Sequence, residues 1–329
     1  MVEIRHAEST YESSPEESVL DVLMRNGTQI PYSCKKGTCL TCMLKARSGS
    51  VPPEAQAGLK ETLRLQGYFL ACICTPQENI EVEFPDDAAL YSRATVYSVE
   101  KISSAVCRVL LEPAAPLFYH AGQFINIRRN DGLTRSYSLA SVPRTDKQLE
   151  LHVKKLPRGQ MSNWIYDELK PGEHIDFQGP NGTCFYTPGS GVQPLLLIGN
   201  GTGLAPLYGI ARDALLDGHK GPIHLYHGSR HPDGLYFRET LLELEENHSN
   251  FTFFSCLSGE DVPSGDRAGR AEKIAFSDHL NLKGMKIFLC GYPAMVNAAQ
   301  KKAYLAGADL QDIYADAFEM KELRKTPRD

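Results

Sequence analysis

Four cysteines near the N-terminus, Cys34, Cys39, Cys42 and Cys72, carry the most specific chemistry in the chain. The first three fall in the run Cys34-Lys35-Lys36-Gly37-Thr38-Cys39-Leu40-Thr41-Cys42, and 29 residues separate the third from the fourth. This C-x4-C-x2-C…C spacing lets three thiolates on one tight loop face a pair of irons while a fourth returns from a distant strand, as a [2Fe–2S] cluster requires. Gly37 permits the turn. Ser33, Thr38 and Thr41 are small enough for backbone N–H groups to approach the sulfurs, one of the levers on a cluster's potential. A structural zinc site would use paired C-x2-C knuckles, whereas Cys72 and Cys74 are separated by Ile73 alone. Cys72, which follows Phe69-Leu70-Ala71, is the better fourth ligand, and Cys74 reads as a spare buried thiol.

Two further groups of residues suit nucleotides. Arg135-Ser136-Tyr137-Ser138 places a cation, an aromatic ring and hydroxyls on one short strand, with Arg135 and Tyr137 on one face and Ser138 on the other. Alone, such residues are ordinary sheet surface. Gly159-Gln160-Met161-Ser162, at the start of a helix, adds a glycine that lets phosphate approach backbone N–H groups and a serine able to cap the helix. Together the two motifs describe a flavin site. Gly199-Asn200-Gly201-Thr202-Gly203 joins a strand to a helix, where a dinucleotide pyrophosphate meets a helix N-terminus. It is not a full G-x-G-x-x-G, since Leu204 takes the place of the third glycine. The next strand ends in Gly228-Ser229-Arg230 and lacks an acid to grip a ribose. Arg230 suits either a 2′-phosphate or an adenine ring, so NADH and NADPH both stay open. Cys290-Gly291 ends a later strand, where a thiol can face a nicotinamide or simply be buried. Phe318 can cover a flavin face or belong to the core. None of the ten histidines shows a nucleophile or metal-site pattern.

The elements that must position these groups fall into three stretches. A chain of 329 residues exceeds one compact core. Residues 1–90 form a small segment with a helix at Ser18–Asn26, the cysteine loop and a strand at Asn79–Phe84, followed by a linker from Pro85 to about Ser92. Residues 91–188 alternate short strands with turns such as Asn130-Asp131-Gly132 and Pro180-Asn181-Gly182, a pattern of an antiparallel barrel with one helix at about Ser162–Leu169. Residues 189–329 alternate strands (Leu195–Gly199, Ile223–His227, Phe251–Ser255, Lys286–Cys290) with helices (Pro206–Leu216, Arg238–Asn247, Ala294–Leu305), which implies a parallel, doubly wound sheet. The fold class is therefore multidomain α+β and α/β.

Composition sets limits. An apolar fraction of 42% and a charged fraction of 23% are those of a globular protein, and no apolar run is long enough to cross a membrane. The first residues lack an apolar leader core, and nine cysteines without one point to metal use in a reducing compartment, the cytoplasm. Residues 1–90 hold 8 basic and 13 acidic side chains against 27 of each in the remainder, so the whole net charge of -5 belongs to the cysteine segment. An acidic small domain disfavours nucleic acid and suits a charge-steered protein partner.

The assembled motifs resemble the iron–sulfur flavoprotein reductases of bacterial multicomponent oxygenases, in the ferredoxin–NADP reductase superfamily. The resemblance spans essentially the whole chain and rests on the cysteine spacing, Arg-x-Tyr-Ser, Gly-Asn-Gly-Thr-Gly and the Cys-Gly strand end. It implies a β-grasp ferredoxin domain, a flavin-binding barrel and a nucleotide domain, with [2Fe–2S], FAD and NAD(P)H as cofactors. It also implies that Cys34, Cys39, Cys42 and Cys72 hold the cluster and that Arg135 pairs with a flavin phosphate. Tyr137 would pack on the isoalloxazine, with Ser138 near its reactive nitrogen. Ser136, His152, Val153, Lys154, Gly159, Gln160, Met161 and Ser162 complete the expected flavin contacts. Gly199, Gly201, Thr202, Gly203, Ser229 and Arg230 would receive the nicotinamide nucleotide, with Cys290 beside its ring and Phe318 as the C-terminal aromatic. The implied activity is hydride transfer from NAD(P)H to FAD, then single-electron transfer through the cluster to an oxygenase or its ferredoxin. Related reductases serve a deoxysugar dehydrase or reduce free flavin, and Leu225–Arg230 resembles those as well. A non-enzymatic redox sensor or electron carrier is the reading from a different class.

Overall fold

A computed structural model describes residues 2–85, 90–260 and 262–319, so the Pro85–Ser92 linker lies partly outside the described residues. The first sheet contains β1 (Glu3–His6), β2 (Ser9–Glu12), β3 (Met43–Ser48), β4 (Tyr68–Leu70) and β5 (Ile80–Glu83), in the order β2-β1-β5-β3-β4. β1 and β5 run parallel and the other pairs antiparallel. The Val19–Arg25 helix lays Val19, Leu20, Val22 and Leu23 on this sheet, each wholly buried against Ile4, Phe69 and Ile80. Ser18 starts the helix by accepting a hydrogen bond from the Asp21 N–H. One helix across a mixed sheet is the β-grasp arrangement.

The second sheet is antiparallel throughout: β6 (Ser92–Lys101), β7 (Val106–Pro113), β8 (Phe124–Arg128), β9 (Thr134–Ser138), β10 (Leu149–Lys154) and β11 (His174–Asn181). Its order is β10-β7-β6-β11-β8-β9. A bridge between Leu139 and Leu151 joins the two edges and closes the barrel. The interior holds Val109, Leu111, Ile125, Ile127 and Phe177, and the Gln160–Asp167 helix adds Met161 and Ile165.

The third sheet is parallel: β12 (Leu195–Asn200), β13 (Ile223–Ser229), β14 (Phe251–Leu257), β15 (Arg267–Ala268), β16 (Lys286–Gly291) and β17 (Ile313–Ala317). The order β15-β14-β13-β12-β16-β17 shows the chain moving outward one way and returning on the other side of β12. Strands buried on both faces read as unbroken apolar runs, such as Leu195-Leu196-Leu197-Ile198. Leu195 and Leu197 pack with the Leu204–Leu216 helix, while Leu196 and Ile198 pack with the Ala271–Asp278 and Pro293–Leu305 helices. The β12 loop thus lies at the point where strand order reverses, where doubly wound sheets bind ligands.

Ion pairs and close backbone contacts join the barrel to the parallel sheet. Arg144 pairs with Asp213 at 2.9 Å and Asp217 at 3.2 Å, and Arg212 reaches back to Asp146 at 2.8 Å. A Cβ on Gly209 would sit 2.9 Å from the Ala140 carbonyl oxygen, so the helix rests directly on the barrel backbone. The first sheet docks on the barrel through the Asn126 amide, which donates to the Cys39 carbonyl at 2.6 Å. It also meets the segment just after the last strand, through an ion pair between Lys36 and Glu319.

Candidate functional site

The cysteine loop runs from Cys34 to Cys42, and the chain returns to it at Cys72, in a 3-10 turn (Ala71–Ile73) just after β4 rather than on a strand. Gly37 has φ +76°, so the turn favours glycine, and a Cβ there would lie 2.5 Å from the Ile73 Cδ1, which would have to move aside. The N–H groups of Lys36, Thr38 and Cys39 point at the Cys34 sulfur at 3.3, 3.4 and 3.4 Å. The Cys34 N–H faces the Cys39 sulfur at 3.4 Å, and Thr41 Oγ1 lies 3.0 Å from it. The Cys34 thiol lies within hydrogen-bonding reach of Cys39 and Cys72, and Cys42 within reach of Cys72. Four converging thiols ringed by N–H donors fit a [2Fe–2S] cluster. Cys74 is wholly buried in the core and burial pushes its thiol up to about 12, which makes it a poor ligand.

Beside this loop opens a cleft with about 1080 Å³ of empty space, open solvent included. All three sheets contribute walls. Cys34 and Cys39 come from the first, Arg135, Ser136, Tyr137, Ser138, His152 and Lys154 from the barrel, and Thr202 and Phe318 from the third. Gly159, Met161 and Ser162 line it as well. β9, at the sheet margin beside the closing bridge, shows both of its faces to this space. The candidate flavin residues therefore gather in one place.

Several expected residues stand elsewhere. Val153 is wholly buried in the barrel core, because residues on either side of it, His152 and Lys154, take the cleft-facing positions of an alternating strand. Gln160 is exposed, and its carbonyl accepts from Arg129 at 3.4 Å. Ser162 does not cap its helix: Gly159 occupies the cap, and Ser162 Oγ accepts from the Leu156 N–H at 3.2 Å, tying down the preceding loop. A Cβ on Gly159 would fall 2.3 Å from that hydroxyl.

The β12 loop passes through a 3-10 turn (Gly201–Gly203) into the Leu204–Leu216 helix, two residues earlier than the apolar pattern predicts. Of its residues Thr202 reaches the cleft. Gly201 has φ +53°, and its carbonyl lies 2.9 Å from His227 Nε2. Burial lowers His227 to about 4, so the ring stays neutral and donates to this carbonyl. A Cβ on Gly203 would sit 2.3 Å from the Cys290 carbonyl oxygen, and one on Gly199 would sit 2.7 Å from Leu207 Cδ1. These glycines bring strand, loop and helix into contact. Ser229 donates to the His231 carbonyl at 2.8 Å, and Arg230 is exposed at the same strand end, outside the cleft. Cys290 is wholly buried with its sulfur 3.8 Å from that of Cys184, and burial drives its thiol well up. In this structure it belongs to the core and does not line the cleft.

The cleft also holds a carboxyl that belongs to no motif. Asp316, on β17, accepts a 2.7 Å hydrogen bond from Ser138 Oγ across 178 residues of sequence. Enclosure in the cleft wall raises its carboxyl to about 6, partly offset by that hydrogen bond. The signal available was a lone acid between alanines in Ala315-Asp316-Ala317-Phe318.

A four-thiol centre, a flavin cleft and a glycine loop at a sheet switch point define an iron–sulfur flavoprotein oxidoreductase. Family models agree along the chain: a 2Fe-2S iron-sulfur cluster binding domain over residues 2–77, an oxidoreductase FAD-binding domain over 93–186, and an oxidoreductase NAD-binding domain over 197–301. The chain is 33% identical over 307 residues to the ferredoxin–NAD(P)+ reductase component of a Pseudomonas putida naphthalene 1,2-dioxygenase system, covering 92% of this chain and 93% of that protein. It is 38% identical over 301 residues to the reductase subunit of an Amycolatopsis aromatic O-demethylase, covering 87% and 89%. The crystal structure of an Amycolatopsis cytochrome P450 reductase superposes with a TM-score of 0.69 at 34% identity, over 97% of this chain and 99% of that one. The chain belongs to the family of ferredoxin–NAD(P)+ reductase components of oxygenase systems. It is an NAD(P)H-dependent oxidoreductase with [2Fe–2S] and FAD as cofactors. No helix among the described residues is long and apolar enough to cross a membrane.

Proposed function

We propose that this reductase draws electrons from NADH and delivers them singly, through its cluster, to an oxygenase component or a separate ferredoxin in the cytoplasm. The observation that carries the reading is the shared cleft, where ligand cysteines Cys34 and Cys39 form part of the same wall as Arg135, Tyr137 and Ser138. A nicotinamide yields two electrons at once and a [2Fe–2S] centre takes one, and flavin supplies the chemistry between them. The three units would occupy residues 1–90, 91–188 and 189–329. Arg135 and the Gly159–Ser162 turn are assigned to the flavin phosphates, and Tyr137 to one face of its ring. Ser138 and Asp316 hold a proton between Oγ and Oδ2 beside the expected position of the flavin ring. Phe318 covers the cleft from the opposite sheet and keeps water out until the nicotinamide arrives. The β12 loop, with its carbonyl fixed by His227, receives the nucleotide phosphates.

The first test is anaerobic titration with NADH, followed by visible absorbance and EPR. Flavin bleaching together with a reduced [2Fe–2S] signal is the expected result. Bleaching without that signal refutes passage through the cluster. A response to NADPH alone makes Arg230 a 2′-phosphate ligand and overturns the choice of NADH. Turnover with a purified oxygenase, set against turnover with free flavin, identifies the acceptor.

A further inference from the structure

Asn126 lies on β8 between Ile125 and Ile127, and all three are at most 1% exposed. Its Nδ2 donates to the Cys39 carbonyl at 2.6 Å, 87 residues away in the cysteine loop, and to Gln178 Oε1 at 2.8 Å. Its Oδ1 accepts from Ser136 Oγ at 2.7 Å. Both amide protons and the oxygen are therefore used. Burying an amide is costly unless its hydrogen bonds are made, and an apolar residue would fill this covered outer face of β8 as well. What an apolar residue cannot do is grip the backbone of a cluster ligand. Ser136 stands opposite Asn126 in the β8–β9 register and lines the flavin cleft. Hydroxyl, amide and carbonyl thus form an unbroken bonded chain from the cleft wall to the peptide of Cys39.

We propose that Asn126 is a positioning residue for electron transfer between flavin and cluster. It fixes the Cys39 side of the cysteine loop against the barrel, and the chain Ser136–Asn126–Cys39 ties the flavin side of the cleft to the cluster loop. The step served moves one electron from reduced flavin to oxidised cluster, with no bond made or broken, and NADH supplies the electrons. The inference rests on the electron path proposed above.

The test uses the loaded, full-length protein and three variants. Asn126→Leu removes every hydrogen bond at the site. Asn126→Asp keeps the shape and the acceptor for Ser136 but removes the donors. Gln178→Leu removes only the bond from Asn126 to β11. In stopped-flow reduction by NADH, both Asn126 variants are expected to bleach flavin at the wild-type rate and to reduce the cluster about tenfold more slowly, since small losses of alignment are costly in rate. Gln178→Leu should match wild type. Small-angle scattering, which reads docking without turnover, should show a larger radius of gyration for Asn126→Leu and not for Gln178→Leu. Wild-type cluster reduction in both Asn126 variants overturns the proposal. Equal impairment by Gln178→Leu overturns it too, because the bond to β11 would then matter as much as the grip on Cys39. Absence of cluster reduction in the wild type removes the electron path itself, and this inference with it.

Discussion

Cys72 and Cys74 sit two residues apart and have opposite fates. The 3-10 turn aims Cys72 at Cys34 and Cys42, while Cys74 points into the core among Val19, Leu20 and Phe69. Cys72→Ser is expected to abolish the reduced-cluster EPR signal and leave flavin content unchanged. Cys74→Ser should keep the signal and lower stability by about 1–3 kcal/mol, since a hydroxyl would be buried without a partner. Thermal melts and iron analysis distinguish the two. Asp316 offers a pH test. Its folded-state pKa is raised to about 6 from 3.8, so the fold prefers the protonated acid. That contribution is complete below the unfolded value and is lost as pH rises through 6. The melting temperature of wild type should therefore fall relative to Asp316→Asn between pH 4 and 7. The pH profile of flavin reduction should lose an inflection near 6 in the variant.

At the level of elements, the β12 loop shows how tightly glycine placement constrains a nucleotide site. Gly203→Ala would drive a methyl into the Cys290 carbonyl, and backbone cannot yield as a flexible side chain can. A loss of about 1–3 kcal/mol and a raised KM for NADH are expected, measured by denaturant titration and steady-state kinetics. These local devices are the part of the molecule most legible in the sequence. Cysteine spacing, glycine loop and the Val19–Arg25 helix with its Ser18 cap all follow from neighbours a few residues apart. The hairpin of β1 and β2 is harder to read, because Glu3–His6 and Ser9–Glu12 carry almost no apolar alternation; β1 is held by pairing with β5, and β2 only by pairing with β1. Val153 was open to a parity argument, since Leu149, Leu151 and Val153 share the apolar face of β10, opposite His152 and Lys154. Asp316 was not, because its partner lies 178 residues away and only the finished fold joins them. Asn126 is hidden for the same reason.

Over the whole molecule, charge is distributed by domain. The excess acid lies in residues 1–90, the segment that carries the cluster cysteines. Exposed ion pairs such as that between Lys36 and Glu319 contribute little to stability, about 0–1 kcal/mol, so this asymmetry matters for encounters more than for folding. Reduction of the acceptor protein is expected to slow as ionic strength rises from low to physiological, while ferricyanide, fed from the flavin, follows no such trend. Stopped-flow rates across a salt series check it; a flat response would remove charge steering by the cluster segment.

The cleft walled by three sheets also has a consequence for how the protein holds together. A group that touches all three sheets binds only when all three are folded and docked. Its binding free energy, RT ln(1 + [L]/Kd), therefore stabilises all of them jointly, by about 2.7 kcal/mol at a hundredfold excess over Kd. Calorimetry should show a single cooperative melt with FAD bound and separate transitions once FAD is stripped away. The flavin would then be a structural fastener as well as a redox group, and loss of this one molecule would loosen the grip of the protein on its iron.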